Sequence, residues 1–481
     1  MKSLKSKSIS AVLWTVIELF FKQIFQVAVA IFLARLLSPE EFGTLALLAI
    51  FIGVANVLVE SGFASALVQK QDVSDTDAST VFWFNCGMGA LMAGLLYLII
   101  PYIADYYDKP ILIDVMVVIS FSVFISSLGG VQHALLTKKL EFKIPMKAAV
   151  TAAAVSGTAA CYLAMKGLGV WALAWQALIN SGVYIALLWV LSDWRPKWLF
   201  SFQSLTSLFK FGGFLMLSGL LNTVYSRLYT LLIGQSYSLH DLGIFDRAKN
   251  TQKIPVGLLS MLVYRVAFPL FSAAANDKER LRRGVRLAVR SIMLVNVPVM
   301  LGLMVTADKV IPIMFGPQWS ESIPFLKVLC LVGLLQPLQV INLNVLKALG
   351  YSNIFFRLEI LKKVVGTTFI LIGIRYGVMG LAWGMVASSV VAFWINAYYT
   401  KYFLNYGILK QMVDLLPIIL IAMIMVMSLS YTSSRYIGSN FDSLLVDIFT
   451  GMAVYLILSL VFNYKSIKLL IDMLQKKKIS P

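Results

Sequence analysis

The sequence predicts an all-α, polytopic membrane protein with about fourteen transmembrane helices. Twelve of them form two parallel-repeat, six-helix lobes around a central cavity, and two extra helices follow at the C-terminal end. Three observations predict this fold class: the composition, the spacing of the apolar runs and an internal repeat. Of the 481 residues, 59% are hydrophobic and only 13% are charged, whereas soluble domains are about 45–50% apolar and about 25% charged.

Apolar runs bounded by turn or charge signals define the predicted spans, each close to the roughly 20 residues that a membrane helix needs. The first run follows a basic N-terminus, as in a signal peptide, but Glu18 and Lys22 interrupt it and no small-residue cleavage site follows. We therefore expect an uncleaved first span. The fourteen spans are predicted at residues 13–36, 42–68, 80–104, 112–137, 143–165, 168–192, 208–234, 250–275, 286–307, 322–349, 353–375, 378–402, 412–432 and 444–463.

The net charge of +18 is explained by the orientation of the chain in the membrane. If the N-terminus lies inside, 25 Lys and Arg residues fall in inner connections and 8 in outer connections. The positive-inside rule then predicts that both termini are cytoplasmic. The basic segments 277–286 and 465–478 mix leucines with cations, and we expect them to lie along the anionic inner leaflet. No nucleic-acid partner is expected.

The segment LLSPEEFGTLALL (36–48) predicts a capped turn between the first two spans. Ser38 suits the N-cap position, Pro39 the first helical position, and Glu41 the third position of a capping box. SYSLHDLGIFDRA (236–248) repeats this pattern after span 7. Ser38, Glu41 and Gly43 align there with Ser238, Asp241 and Gly243, each 200 residues later.

A second repeat supports the duplication, because GVWALAW (169–175) recurs as GVMGLAW (377–383), 208 residues later. Two repeats at nearly the same offset predict two parallel halves, as in transporters that move one half against the other. The predicted boundaries are 1–200 for the N-terminal lobe with spans 1–6, 201–405 for the C-terminal lobe with spans 7–12, 406–465 for spans 13 and 14, and 466–481 for a basic cytoplasmic tail.

Polar residues inside spans 1 and 7 predict a shared water-filled space. A charge at the bilayer centre costs about 2.5–3.5 kcal/mol on insertion scales, so such residues are functional candidates. Glu18, Lys22 and Gln26 recur every four residues on one helical face. The equivalent positions in span 7 are Ser218, Asn222 and Ser226. The alternative for span 1 is that Glu18 and Lys22 pair only to allow insertion, or that Lys22 reaches the inner surface.

Four segments resemble the polysaccharide transporter family of the multidrug/oligosaccharidyl-lipid/polysaccharide superfamily. They are LARLLSPEEFGTLAL (33–47), LFKFGGFLMLSGLLN (208–222), LGIFDRAKNTQKIPVGLLSMLVYRVAFPLFS (242–272) and FGPQW (315–319). The resemblance covers almost the whole chain and is strongest to the exporters of lipopolysaccharide, colanic acid and teichuronic acid. It implies a bacterial inner-membrane flippase for undecaprenyl-diphosphate-linked oligosaccharide in cell-surface polysaccharide biosynthesis, without catalytic residues, metal or cofactor.

A diphosphate head group requires several cations, with Arg acting as a bidentate fork and Lys as a point charge. Arg265 is the first candidate to bind it. Glu18, Glu60 and Glu359 are candidates to carry a coupling proton or sodium ion, with pairing to nearby cations as the alternative. Arg35, Arg247 and Lys249 are candidate outer-face cations, with interfacial anchoring as the alternative. The complete set of candidate substrate-binding residues is Lys22, Gln26, Asn222, Arg227, Lys253, Arg265, Lys362 and Lys363.

Two other classes of function are alternatives to a flippase. A membrane polysaccharide polymerase or glycosyltransferase usually needs a large outer loop for its catalytic groups. The longest predicted outer connection, 235–249, is only about 15 residues long, too short for a soluble active site. A drug/cation antiporter of the same superfamily is the second alternative, and the excess of cations within the spans favours an anionic substrate instead. Polymerases and glycosyltransferases of the same pathway are expected partners, together with membrane lipids.

Overall fold

The computed structural model of the protein describes residues 23–263, 267–435 and 440–462. Within these ranges the chain is helical and contains no strand, which confirms the predicted all-α class. Each predicted span that has described residues overlaps one helix or a pair of consecutive helices. The count of fourteen spans stays a prediction, and the basic tail lies outside the described residues.

The helices are numbered in chain order, and two short 3₁₀ turns, Pro317–Trp319 and Ile374–Tyr376, interrupt the series. The bounds are α1 Gln23–Leu36, α2 Pro39–Glu60, α3 Phe63–Gln69, α4 Asp75–Tyr106, α5 Ile111–Ser127, α6 Gly130–Lys138, α7 Lys143–Met165, α8 Val170–Leu191, α9 Phe202–Ser236, α10 Leu239–Leu262, α11 Phe268–Ala273, α12 Lys278–Phe315, α13 Ser322–Ala348, α14 Ser352–Gly373, α15 Gly377–Leu404, α16 Ile408–Arg435 and α17 Asn440–Phe462.

Ten helical stretches of the described residues are long and apolar enough to cross a bilayer. One of them, Asn353–Leu404, contains both α14 and α15, which pack against each other. Helix α10 does not belong to this set. A polar helix at membrane depth has to face protein or water. Helix α10 is therefore a candidate for a functional role.

The predicted helix cap at Ser38 is present, and the aligned residue Ser238 also caps a helix. The Ser38 hydroxyl accepts a hydrogen bond from the Glu41 amide at 3.3 Å, and the Ser38 amide donates to Glu41 Oε2 at 2.7 Å. In the second repeat, the Asp241 amide donates to Ser238 Oγ at 3.0 Å, and the Ser238 amide donates to Asp241 Oδ2 at 3.2 Å. The two turns therefore repeat in local structure as well as in sequence.

Next to the first cap, Lys109 donates to Glu40 at 2.7 Å. This hydrogen bond raises the pKa of the Lys109 ammonium above its ordinary value. The group therefore stays charged at neutral pH, and it ties the connection between α4 and α5 to the first turn of α2. The pair is largely exposed, so we attribute only a small stabilisation to it.

The second cap corrects one prediction. Residues 235–249 were expected to form an outer connection of about 15 residues, with span 8 starting at 250. Only Tyr237 and Ser238 separate α9 from α10, because the cap at Ser238 starts the helix at Leu239. The polar residues that suggested a loop belong instead to helix α10, which buries two of them, Arg247 and Lys249.

We expect Ser38→Ala to lower the free energy of unfolding by about 1 kcal/mol, because it leaves an amide of the first turn without its hydrogen bond. The measurement is thermal unfolding in detergent with a thiol-reactive dye, which reports exposure of the buried Cys330. Ser207→Ala, at an exposed position inside α9, is the control. Equal unfolding midpoints for the two variants would contradict the capping role.

The chain divides into two compact units, Met1–Gly243 and Ile244–Pro481. The predicted lobe boundaries stay predictions. In the first unit, α7 packs on α8, α4 on α5, and α2 on α9. The contact between α2 and α9 is close where glycines lie: a Cβ at Gly53 would lie 3.1 Å from Thr223, and one at Gly219 would lie 3.2 Å from Val57. Such small residues allow membrane helices to approach each other.

The second unit has a core formed mainly by α12, α13, α15 and α16. Helix α12 buries a stripe with helical spacing that includes Leu281, Val285, Val289 and Met293. This stripe packs against residues of α16 such as Leu415 and Ile418. The packing brings the charged first turns of α12 next to the start of α16.

Candidate functional site

The structure does not describe three of the candidate residues. Glu18, Lys22 and Arg265 lie outside the described residues, so their roles remain predictions from the sequence. The remaining candidates can be placed individually within their units. They fall into three groups: exposed or partly exposed polar side chains, one partly exposed ion pair, and two buried cations.

The polar stripe predicted on span 7 is exposed in the first unit. Ser218, Asn222 and Ser226 on α9 are all exposed, and Arg227 beside them is partly exposed. Gln26 on α1 is exposed as well. The stripe therefore offers hydroxyl, amide and guanidinium groups of one helix to a polar ligand.

Helix α10 has a comparable open face in the second unit. Asn250, Lys253 and Gly257 are exposed and follow one another at helical spacing. The Asn250 side chain donates to Asp246 at 2.6 Å. Because α10 is too polar to face lipid, this face is suited to water or to a polar substrate.

Two cations expected at the outer face are buried. Arg247 and Lys249 on α10 are each 8% exposed. The Arg247 guanidinium lies 4.8 Å from the ring centroid of Phe315 and 4.6 Å from that of Trp319. These cation–π contacts link α10 to the FGPQW segment. Arg35, by contrast, is exposed near the end of α1.

Two of the candidate acids differ in environment. Glu359 accepts a hydrogen bond from Lys362 at 2.5 Å, which forms an ion pair within α14. Glu359 was a candidate to carry a coupling ion, with pairing to a nearby cation as the alternative. The observed geometry matches the alternative. Lys363 is partly exposed on the same helix, and Glu60 is exposed at the last position of α2.

The sequence reasoning missed the close approach of two aligned glycines, Gly43 and Gly243. A Cβ atom on Gly43 would lie 1.8 Å from the Leu239 carbonyl oxygen, and one on Gly243 would lie 1.8 Å from the Pro39 carbonyl oxygen. The first turns of α2 and α10 therefore cross backbone to backbone. The alignment of the two glycines in the repeat was visible in the sequence, but nothing in the sequence indicated that the two residues are in contact.

The sequence reasoning also missed a buried ion pair between Lys309 on α12 and Asp447 on α17. The Lys309 ammonium donates to Asp447 at 2.5 Å and to Ser443 Oγ at 2.6 Å. Asp447 borders an apolar groove of about 670 Å³ formed by α12, α16 and α17. Asp447 is an isolated acid within an apolar run, and this sequence feature could have indicated that it needs a cationic partner.

A third missed cluster surrounds Asp414 at the start of α16. Its carboxylate accepts hydrogen bonds from Arg286 and Arg290 of α12 and from the Tyr406 hydroxyl. Arg286 and Arg290 are four residues apart, so both face the same neighbour. The spacing of the two arginines and the single acid of predicted span 13 are the sequence features that could have indicated this cluster.

The fold and these polar faces define a class of protein: a multi-pass helical membrane protein whose polar helices are suited to moving a solute. The chain belongs to the polysaccharide biosynthesis protein family, whose model matches residues 32–324. This match confirms the resemblance noted in the sequence. It includes both capped turns and the whole of α10.

Named relatives are similar over most of the chain. The lipopolysaccharide biosynthesis protein WzxC of Escherichia coli (strain K12) is 28% identical, over 81% of this chain and 80% of WzxC. The teichuronic acid biosynthesis protein TuaB of Bacillus subtilis (strain 168) is 27% identical, over 83% of this chain and 84% of TuaB. The succinoglycan biosynthesis transport protein ExoT of Rhizobium meliloti (strain 1021) is 26% identical, over 74% and 73%.

The fold is similar to that of two solved transporters. The lipid II flippase MurJ in an inward closed conformation aligns with a TM-score of 0.77 and 17% identity, over 95% of this chain and 100% of MurJ. An inward-facing multidrug resistance MATE family transporter aligns with a TM-score of 0.62 and 16% identity, over 83% of this chain and 100% of the transporter. At these identities the comparisons establish the fold, which is that of polytopic transporters.

Proposed function

We propose that the protein is a flippase that transfers a lipid-linked oligosaccharide, an undecaprenyl-diphosphate glycan, across the bacterial inner membrane by alternating access. The observation that carries this proposal is the similarity, over about four-fifths of the chain, to proteins named for polysaccharide biosynthesis. The name of ExoT describes a transport protein, and the name of MurJ describes a flippase of lipid II.

The geometry of the described helices supports this substrate class. The open faces of α9 and α10 present amide, hydroxyl and cationic groups that can bind sugars and a diphosphate. The groove between α12, α16 and α17 is lined mostly by apolar side chains, so a polyprenyl tail can lie along it. In this proposal both termini are cytoplasmic. Glycosyltransferases of the same pathway supply the glycan, and a polymerase uses it after transfer.

The decisive experiment is a transfer assay with purified protein in liposomes that contain a fluorescent undecaprenyl-diphosphate oligosaccharide. Access of a lectin to the glycan reports transfer between the leaflets. We expect transfer above the rate in protein-free liposomes, and gradients of protons and of sodium ions in separate arms identify the coupling ion. Rates at the protein-free level with each glycan and gradient would contradict the proposal, and export of cationic drugs instead would favour the antiporter.

Lys253→Met should reduce transfer by about tenfold or more, because one hydrogen bond to a charged group contributes about 1.5–3 kcal/mol and 1.4 kcal/mol is a factor of ten. Lys253→Arg should retain most of the activity. Lys327→Met, which removes a surface cation paired with Asp308, is the control at equal amounts of folded protein. Arg265→Ala should behave like Lys253→Met, and normal transfer by both variants would remove these cations from the substrate site.

A further inference from the structure

A cationic cleft of about 410 Å³ lies between the first turns of α12 and the start of α16. It shares no lining residue with the apolar groove beside Asp447. Three basic side chains, Arg282, Arg286 and Lys410, line it together with the apolar Leu409 and Val413. Its lining therefore combines charged and apolar side chains.

The charge pattern of α12 places this cleft at the edge of the bilayer. The helix has 38 residues, which at 1.5 Å per residue is about 57 Å, nearly twice the roughly 30 Å of the apolar core. Residues 278–290 contain six Lys and Arg side chains, whereas residues 291–307 contain no charged side chain. In α16, residues 415–434 are likewise free of charged side chains. The cleft lies where both helices pass from their charged to their uncharged part, and this pattern predicts that it lies at the depth of lipid phosphates.

Asp414 organises the cationic wall of the cleft. Arg286 donates to its two carboxylate oxygens in bidentate fashion, each at 2.6 Å, and Arg290 donates at 2.6 Å. The Tyr406 hydroxyl donates to the same carboxylate at 2.9 Å. Burial raises the pKa of this hydroxyl above its ordinary value, so it remains a donor. One carboxylate thus holds two guanidinium groups in fixed positions and neutralises only one of them.

The remaining cations add to this excess of positive charge. Arg282 pairs with the exposed Glu279 at 2.8 Å, a surface contact that contributes little. Lys410 donates to the Asn405 carbonyl at 2.8 Å, which leaves its charge uncompensated. Four cations and two carboxylates therefore leave two net positive charges around the cleft, suited to a phosphate group.

The apolar side continues along α16 in the direction of the membrane core. Leu409 and Val413 are 82% and 68% exposed, and Leu416 and Leu420 continue the exposed stripe at helical spacing. A ligand seated on the cations can therefore lay hydrocarbon chains along this stripe. A free phosphate would make no use of it.

We infer that the cleft is a binding site for an anionic glycerophospholipid, whose phosphate contacts Arg282, Arg286 and Lys410 and whose acyl chains follow the exposed stripe of α16. Basic pockets between membrane helices bind anionic lipid head groups in this manner. The inference does not depend on the proposed transport function. It assigns a structural lipid to the contact between α12 and α16.

The test is lipid-dependent thermal stabilisation of the full-length protein, delipidated in a neutral detergent and titrated with phosphatidylglycerol. We expect a rise in the unfolding midpoint with phosphatidylglycerol and none with phosphatidylcholine. The double variant Arg282→Gln/Lys410→Gln should need at least about tenfold more lipid for half of the rise, because one lost hydrogen bond to a charged group costs about 1.5 kcal/mol or more. Native mass spectrometry counts the lipids that remain bound.

The matched control is Arg280→Gln/Arg283→Gln, which removes the same two charges from exposed positions of α12 outside the cleft. It should titrate like the wild type. Equal weakening in both double variants would overturn the inference and indicate general attraction between charges. Equal stabilisation by inorganic phosphate would also overturn it, since the acyl chains would then contribute nothing. Arg286 and Asp414 are left intact because they support the fold.

Discussion

Gly43→Ala is expected to destabilise the protein by about 1–3 kcal/mol or more, as overpacking of a tight contact does. The added methyl group would lie 1.8 Å from the Leu239 carbonyl oxygen, and that oxygen belongs to a helix backbone that cannot rotate away. The first turns of α2 and α10 therefore have to separate. Thermal unfolding of the purified protein and its yield in the membrane measure the effect.

Gly243→Ala should produce a similar loss, because its methyl group would meet the Pro39 carbonyl oxygen at the same distance. A single separation of the two helices relieves both clashes, so the double variant should lose less than the sum of the single variants. Gly94→Ala is the control: a Cβ there meets no atom within 4 Å, and alanine favours the helix. Wild-type unfolding of Gly43→Ala would show that the helices do not cross at this residue.

Lys309→Met is expected to destabilise the protein by about 3–5 kcal/mol, the usual cost of removing one partner from a buried ion pair. The Asp447 side chain is 3% exposed, and that of Lys309 is 16% exposed, so water cannot replace the lost ammonium. The Thr432 hydroxyl, which donates to Asp447 at 3.3 Å, would remain beside the stranded carboxylate, but it carries no charge. The unfolding midpoint in detergent is the measurement.

Two variants determine whether burial causes this effect. Lys309→Met/Asp447→Leu should recover most of the lost stability, because a buried pair can be replaced by apolar side chains with little loss. Lys327→Met breaks the adjacent Lys327–Asp308 pair, whose side chains are substantially exposed, and should cost less than about 1 kcal/mol. If both single Lys variants lost the same stability, burial would not be the cause.

The helical segments could be predicted because their signals are local. Predicted span 143–165 coincides with α7, and span 322–349 differs from α13 by one residue. The capping boxes depend only on residues three positions apart, so Ser38 and Ser238 could be assigned from the sequence. Where local signals conflicted, as in 235–249, the polar first half of α10 was interpreted as a loop.

The candidate site was less predictable from the sequence. Helical periodicity predicted that Ser218, Asn222 and Ser226 share one face of the helix. The same periodicity would also fit a polar face that a neighbouring helix covers and shields from lipid. The predicted topology put Arg247 in an outer connection, and it did not indicate that packing against Phe315 and Trp319 buries the side chain. Exposure depends on which helices pack together, and one helix does not encode its neighbours.

By itself, the sequence determined that this is a helical membrane protein, that a helix begins at the Ser38 cap, and which family the chain resembles. Caps act within about one turn of helix and hydropathy is summed along a single span of about 20 residues, so the order of residues is sufficient for both. The tertiary structure decided that Gly43 approaches Gly243, and that Lys309 pairs with an acid 138 residues away. Such contacts require two helix backbones to pack at a particular distance and rotation, because short-range side-chain and backbone contacts exist only in that packed geometry.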